Sequence, residues 1–118
     1  GHLSHSETLE WYNNVDIFAF PSSCETFGIS LLEAMSAGLP IACSNRGPMP
    51  EILKDAGVYF NPENLSSIAA SLKLLLLDES LRKNLGTKAF SLSQAFTWER
   101  CAHETFSFLN SVYRHHLI

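Results

Sequence analysis

The chain has 118 residues, 46% of them apolar, with eight basic and twelve acidic side chains and a formal net charge of −4. These values describe one soluble, ordered domain's worth of chain; they exclude disorder and argue against a nucleic-acid partner, which needs a clustered basic face. No apolar run approaches the roughly 18 residues of a membrane-spanning helix, since Leu74 to Leu77 is stopped by Asp78, and no signal-peptide pattern opens the chain.

In chain order, Ser4 with Glu7 reads as a capping box opening a helix through about Asn14. Val15 to Phe20 is β-rich and ends at Pro21, which predicts a buried strand. The Pro21-Ser22-Ser23 turn leads into a helix from about Gly28 to Ala37, with Gly38 as its stop and Pro40 just beyond. Pro40 to Cys43 is a second strand. Ser44 to Pro48 is a polar loop, followed by a short helix with Pro50 at its first position. Val58 to Phe60 is a third strand, closed by Asn61-Pro62.

Helices follow the third strand. Asn64 caps a helix to about Leu77 with Ile68, Leu72, Leu75 and Leu76 on one stripe. Asp78 caps the next, with Leu81, Leu85, Ala89 and Leu92 spaced for burial. Thr97 caps the last, in which Trp98, Cys101, Ala102, Thr105, Leu109 and Val112 keep a helical period, and Trp98 reads as its core anchor. Strands alternating with helices imply α/β: a partial Rossmann-like parallel sheet with flanking helices and an all-helical C-terminal third. Three short strands make a thin parallel sheet, and such sheets carry more strands and cover on both faces. The expectation is therefore the back half of a Rossmann-like domain, whose first strands lie upstream.

The chemistry concentrates in Pro21 to Met35. Between Thr26 and Asn45 the one formally charged residue is Glu33, set among Leu31, Leu32, Ala34 and Met35. A carboxylate there is costly to bury unless a donor meets it. The helix start at Phe27, Gly28 and Ile29 offers free N–H groups and partial positive charge, which suit a phosphate. With Glu25 just before it, the segment reads as a pocket for a ligand carrying hydroxyls and phosphates. The first basic residue is Arg46, so cations for a diphosphate come from Arg46, from elsewhere in the fold, or from residues outside the chain.

The run from Pro21 to Ser44 closely resembles the motif of retaining glycosyltransferases of family 4, which have the two-domain GT-B architecture. Their mark is a Glu, seven residues, then a second Glu, and Glu25 and Glu33 fit it. Pro21, Ser22, Phe27, Gly28, Leu32, Ala34, Met35, Gly38 and Pro40 match around those acids. Asp16, Pro50-Glu51-Ile52 and Phe96-Thr97-Trp98 match further out, so the similarity spans nearly the whole chain in order. The resemblance implies that residues 1–118 are the C-terminal half of a GT-B donor domain. The upstream strands and the N-terminal acceptor domain would lie outside the chain.

The same resemblance implies roles. Glu25 would sit at the reacting centre, hydrogen-bonding the hydroxyls of the donor sugar. The amides of Phe27, Gly28, Ile29 and Ser30 would hold the sugar and diphosphate, and Glu33 would accept from the ribose hydroxyls. The partner would be a nucleotide-sugar donor, its sugar passed with retention to an acceptor the sequence does not specify; no metal or other cofactor is expected. The family's Arg and Lys that neutralise the diphosphate lie upstream, so the chain alone is expected to be inactive. Where relatives often carry Gly-Gly before the later Pro-Glu, this chain has Arg46-Gly47-Pro48-Met49.

Two other readings remain open at this level: a stand-alone half-domain serving as the binding subunit of a split enzyme, and a Rossmann-like relative without transferase activity. Cys24 reads as a buried or half-buried structural thiol rather than a nucleophile, since its acidic neighbour opposes thiolate formation. Glu51 suits a helix dipole without any ligand. Three widely spaced cysteines, Cys24, Cys43 and Cys101, point to a reducing, cytoplasmic setting. Peripheral contact with a membrane through the other domain is compatible with it. His115 and His116 are adjacent and make a poor metal pair on a helix.

Overall fold

The computed structural model describes residues 1–116, with side chains through residue 115, so the side chain of His116 lies outside the described residues. The elements run α1 (His5–Asn14), β1 (Phe18–Phe20), α2 (Ile29–Ser36), β2 (Ile41–Ser44), α3 (Met49–Leu53), β3 (Gly57–Phe60), α4 (Leu65–Leu77), α5 (Glu79–Ser93) and α6 (Trp98–His116). The strands form one parallel sheet in the order β1-β2-β3, with Phe18 opposite Ile41 and Ile41 opposite Gly57. This is the partial Rossmann-like α/β fragment that the alternation of strands and helices implies.

β2 is the central strand and all four of its residues are buried. Because strand side chains alternate, Ile41 and Cys43 join one core with α2 and α3, while Ala42 joins Phe60, Leu75 and Leu85 beneath α4 and α5. Pro40 has no N–H for the ladder, and the strand begins one residue later than the pattern suggests. β1 is shorter and less buried than expected. It lies at the edge of the sheet with Phe18 and Phe20 half-buried and Ala19 exposed. Val15 to Ile17 stay outside it, and Phe18 N–H makes the first link, to the Pro40 carbonyl at 3.0 Å. α3 starts at Met49, which places Pro50 at its second position.

α2 buries Leu31, Ala34 and Met35, positions i, i+3 and i+4 of one face. Its end is a Schellman turn. Gly38 N–H reaches the Met35 carbonyl at 2.9 Å and Leu39 N–H the Ala34 carbonyl at 3.2 Å, with Gly38 at φ 71°. Helix α5 crosses here, so closely that a Cβ on Gly86 would lie 2.3 Å from the Gly38 carbonyl oxygen.

Two helices depart from the expected pattern. In α4 the inward line is Ile68, Ser71, Leu72 and Leu75, with Ser71 donating to the Tyr59 carbonyl at 3.1 Å. Leu76, one residue past that line and so about 100° around the helix, is exposed. In α6 the helical period is present and Thr97 caps it, its Oγ1 accepting from Arg100 N–H at 3.1 Å. Trp98, however, is 82% exposed and is no core anchor. Cys101, Ala102, Thr105, Leu109 and Val112 are exposed as well; Cys101 and Thr105 line an open groove that α2 borders without filling.

The Gly38–Gly86 contact yields a stability test. Gly86→Ala forces a methyl group onto backbone, which gives way less easily than a side chain. The expected loss is about 1–3 kcal/mol, the range for overpacking. It would be read as a lower urea midpoint at unchanged slope; an unchanged midpoint would contradict the tight crossing.

Candidate functional site

The site grows from the carboxyl ends of β1 and β2, where ligands settle in open α/β sheets. Beyond Pro21 the chain turns, Ser22 Oγ donating to the Cys24 carbonyl at 3.2 Å. Cys24 is exposed on this loop, which corrects the expectation of a buried thiol: no described helix or strand covers the turn. Glu25 follows, half-buried. Its carbonyl oxygen lies 3.8 Å from where a Cβ on Gly47 would stand, so the loop after β2 closes against the loop after β1.

Gly28 starts α2 with φ 92° and ψ 62°, a left-handed conformation that glycine adopts without strain. Phe20 lies against it, 3.5 Å from the position of an added Cβ. No side chain caps this helix end. Leu31 and Leu32 make the first bonds back to the Gly28 carbonyl, at 3.0 and 3.2 Å. The N–H groups of Ile29 and Ser30 therefore have no acceptor among the described residues, and they carry the positive end of the helix dipole. Ile29 and Ser30 are exposed, and Phe27 is half-buried with its ring edge against Phe96 at 5.8 Å. Phe96, which opens the Phe-Thr-Trp run, thus steadies the residue before the helix start.

Glu33 sits one turn into α2, half-buried, on the flank that does not face the sheet core. The donor that a carboxylate needs there comes from Tyr12 of α1: its hydroxyl donates to Glu33 Oε2 at 3.1 Å and lies 3.4 Å from the Ser30 carbonyl. Tyr12 is buried, its ring meeting Phe18 edge-on at 5.7 Å. Burial, then the negative field of Glu33 and the hydrogen bond to it, push the Tyr12 hydroxyl up to about 12, so it stays a neutral donor. Tyr12 belongs to no motif of its own in the sequence. The available signal was the carboxylate's need for a donor, with a tyrosine on the helix just before the strand.

Arg46, the nearest cation in sequence, is engaged elsewhere, 3.5 Å from both Glu63 Oε2 and Asn61 Oδ1 in the loop after β3. Glu51 stands exposed in the first turn of α3, where it complements the dipole. A groove of about 930 Å³ runs between α2 and the start of α6, lined by Phe27, Ile29, Glu33, Phe96 and Trp98 among others. Glu25, Gly28 and Ser30 lie outside it, on the loop and the helix start. The candidate residues thus surround the α2 N-terminus from two sides rather than lining one cavity. Among the described residues, no helix is long and apolar enough to cross a membrane.

A pH prediction follows from the buried acids. Tyr12, ordinarily near 10, and Cys43, ordinarily near 9, are both pushed up to about 12, chiefly by burial, and Tyr59 is raised too. The folded chain holds these protons more tightly than the unfolded one, so the stability they contribute is complete below about pH 9 and lost as pH rises toward about 12. Urea midpoints measured across this window should fall, and Tyr12→Phe should remove the tyrosine's share of the fall above about pH 10. A flat profile would contradict the burial.

Residues 1–91 match the family described as glycosyl transferases group 1. The chain is 33% identical over 105 residues to the O-antigen chain mannosyltransferase B of Escherichia coli, covering 89% of this chain and 28% of that protein. Sucrose-phosphate synthase from Thermosynechococcus elongatus superposes with a TM-score of 0.84 at 24% identity, over 98% of this chain and 30% of that one. Anabaena HepE, solved in complex with UDP, gives a TM-score of 0.76 at 22% identity, over 86% of this chain and 29% of that one. The chain thus spans less than a third of the length of these proteins. The family match takes in the whole of the two-Glu segment and the sheet that carries it, and the chain belongs to the glycosyl transferases group 1 family.

Proposed function

We propose that this chain is the C-terminal portion of the nucleotide-sugar donor-binding domain of a retaining, family 4-like glycosyltransferase. The observation that carries the reading is the uncapped N-terminus of α2, set between two half-buried carboxylates at the carboxyl edge of the sheet. A nucleoside diphosphate-sugar offers the matching chemistry: anionic oxygens for the N–H groups, and hydroxyls on sugar and ribose for the acids.

In this reading Glu25 accepts from the hydroxyls of the donor sugar and fixes the anomeric carbon for attack. The amides of Phe27, Gly28, Ile29 and Ser30 meet the sugar and diphosphate. As the glycosidic bond breaks, charge develops on the departing diphosphate, and preorganised N–H groups stabilise it at no reorganisation cost. Glu33 accepts from the ribose hydroxyls, as acids do in dinucleotide sites. Cationic side chains come from the rest of the donor domain; Arg46 lies beside Glu63 of the loop after β3. No metal is required, because N–H groups and cations take the charge. The neighbour solved with UDP supports the ligand class. The acceptor is bound by another domain, so the chain alone is expected to transfer nothing. The intact enzyme is proposed to act in the cytoplasm, peripherally where its acceptor is lipid-linked.

The test is made in the full-length protein that carries this chain. Glu33→Ala is expected to weaken nucleoside diphosphate binding by about 10- to 100-fold, the worth of hydrogen bonds to a charged group. Glu25→Ala is expected to lower kcat by about 100-fold or more while leaving nucleoside diphosphate binding nearly intact. NMR of the first product formed should show the anomeric configuration of the donor. Unchanged binding and turnover in both variants would sink the transferase reading, and an inverted product would sink retention.

A further inference from the structure

We propose that Tyr12 is a positioning residue for Glu33, orienting its carboxylate to accept from the adjacent hydroxyls of a ribose. This rests on the ribose role proposed above for Glu33. A glutamate side chain has three rotatable bonds, and ordering it on ligand binding is entropically costly. Here that ordering is already done. The Tyr12 hydroxyl, 3.1 Å from Oε2, tethers the carboxylate across two helices, while the buried ring is itself fixed against Phe18.

The arrangement also leaves the right valences. An ionised carboxylate has about four lone-pair sites and no donor. Tyr12 takes one of them on Oε2, which leaves both sites of Oε1 and the second of Oε2 for incoming hydroxyls. Two vicinal hydroxyls, each donating once, match what remains, and a nucleotide lacking one of them leaves an acceptor unpaired. The Ser30 carbonyl at 3.4 Å is the alternative acceptor for the same hydrogen. It belongs to the first turn of α2, so the tyrosine ties the ribose acid to the helix end proposed for the diphosphate.

The experiment measures dissociation constants by calorimetry for UDP, GDP and ADP with the full-length protein, then for the 2′-deoxy counterpart of the tightest. The readout is the ribo-to-deoxy preference within each variant, a ratio that does not depend on the fraction of protein folded. Tyr12→Phe keeps the ring against Phe18 and removes only the hydroxyl. The expected preference is about tenfold or more in the parent and near unity in Glu33→Ala. Tyr12→Phe should lower it by about three- to tenfold, the range of a single neutral donor. In the double variant Tyr12→Phe should add nothing, since the two act as one unit. The proposal is overturned if Tyr12→Phe leaves the preference unchanged, weakens both nucleotides equally, or adds a further loss in the Glu33→Ala background. If Glu33→Ala itself keeps the preference, the ribose reading fails and takes the Tyr12 proposal with it. If Glu33→Ala removes the preference and Tyr12→Phe does not, only the Tyr12 proposal falls.

Discussion

Helix α2 has to lie flat on the sheet with Leu31, Ala34 and Met35 fully buried, and the nine residues Ile29 to Ala37 must fit between two left-handed glycines, Gly28 and Gly38. Much else in the molecule follows from that constraint. A helix packed by one face cannot rotate, so Glu33 on its flank is held away from the apolar contact. The backbone turn at Gly28 needs no side-chain cap, and the first N–H groups are left facing outward. At the other end, α5 approaches the Gly38 carbonyl at a position where only glycine fits, and this crossing clamps the helix from outside.

A second line of contacts joins this helix to the start of the chain. Tyr12 meets Phe18 edge-on, Phe18 stacks near Phe20 at 5.9 Å, and Phe20 lies against Gly28. Phe18 and Phe20 share one face of an edge strand, so three aromatic rings run from α1 to the turn that opens α2. Each ring contributes apolar burial, and edge-on geometry adds a modest favourable term. The same ladder sets the height at which the Tyr12 hydroxyl reaches Glu33. Packing and polar chemistry thus share one scaffold, and the half-buried carboxylate keeps a donor.

The C-terminal region behaves differently. Phe96 is spent on steadying Phe27, after which α6 runs on with its apolar stripe exposed and Trp98 beside the groove. The apolar period of α6 is stronger than that of α5. What differs is whether another element faces it. α5 has Leu85 and Ala89 buried against the body of the fold, and α6 has no such counterpart among the described residues.

Much of this was legible in the residues themselves. The capping box at Ser4 and Glu7, the caps at Asn64, Asp78 and Thr97, and the Gly38 stop are local hydrogen-bonding decisions, and all are found. The spacing of Glu25 and Glu33 about a helix start is local too, and so was the family resemblance it carried. Burial was not local. Whether Trp98 anchors a core, whether Cys24 is covered, and whether β1 is an edge depend on which elements come to lie above them, which periodicity does not encode. The same holds for Arg46, whose partner Glu63 sits 17 residues on, and for Tyr12, brought to Glu33 across 21. Short-range chemistry determined the elements and marked the acids. Only the tertiary structure decided which side chains meet, because contacts between distant residues are set by how helices and strands pack rather than by any spacing along the chain.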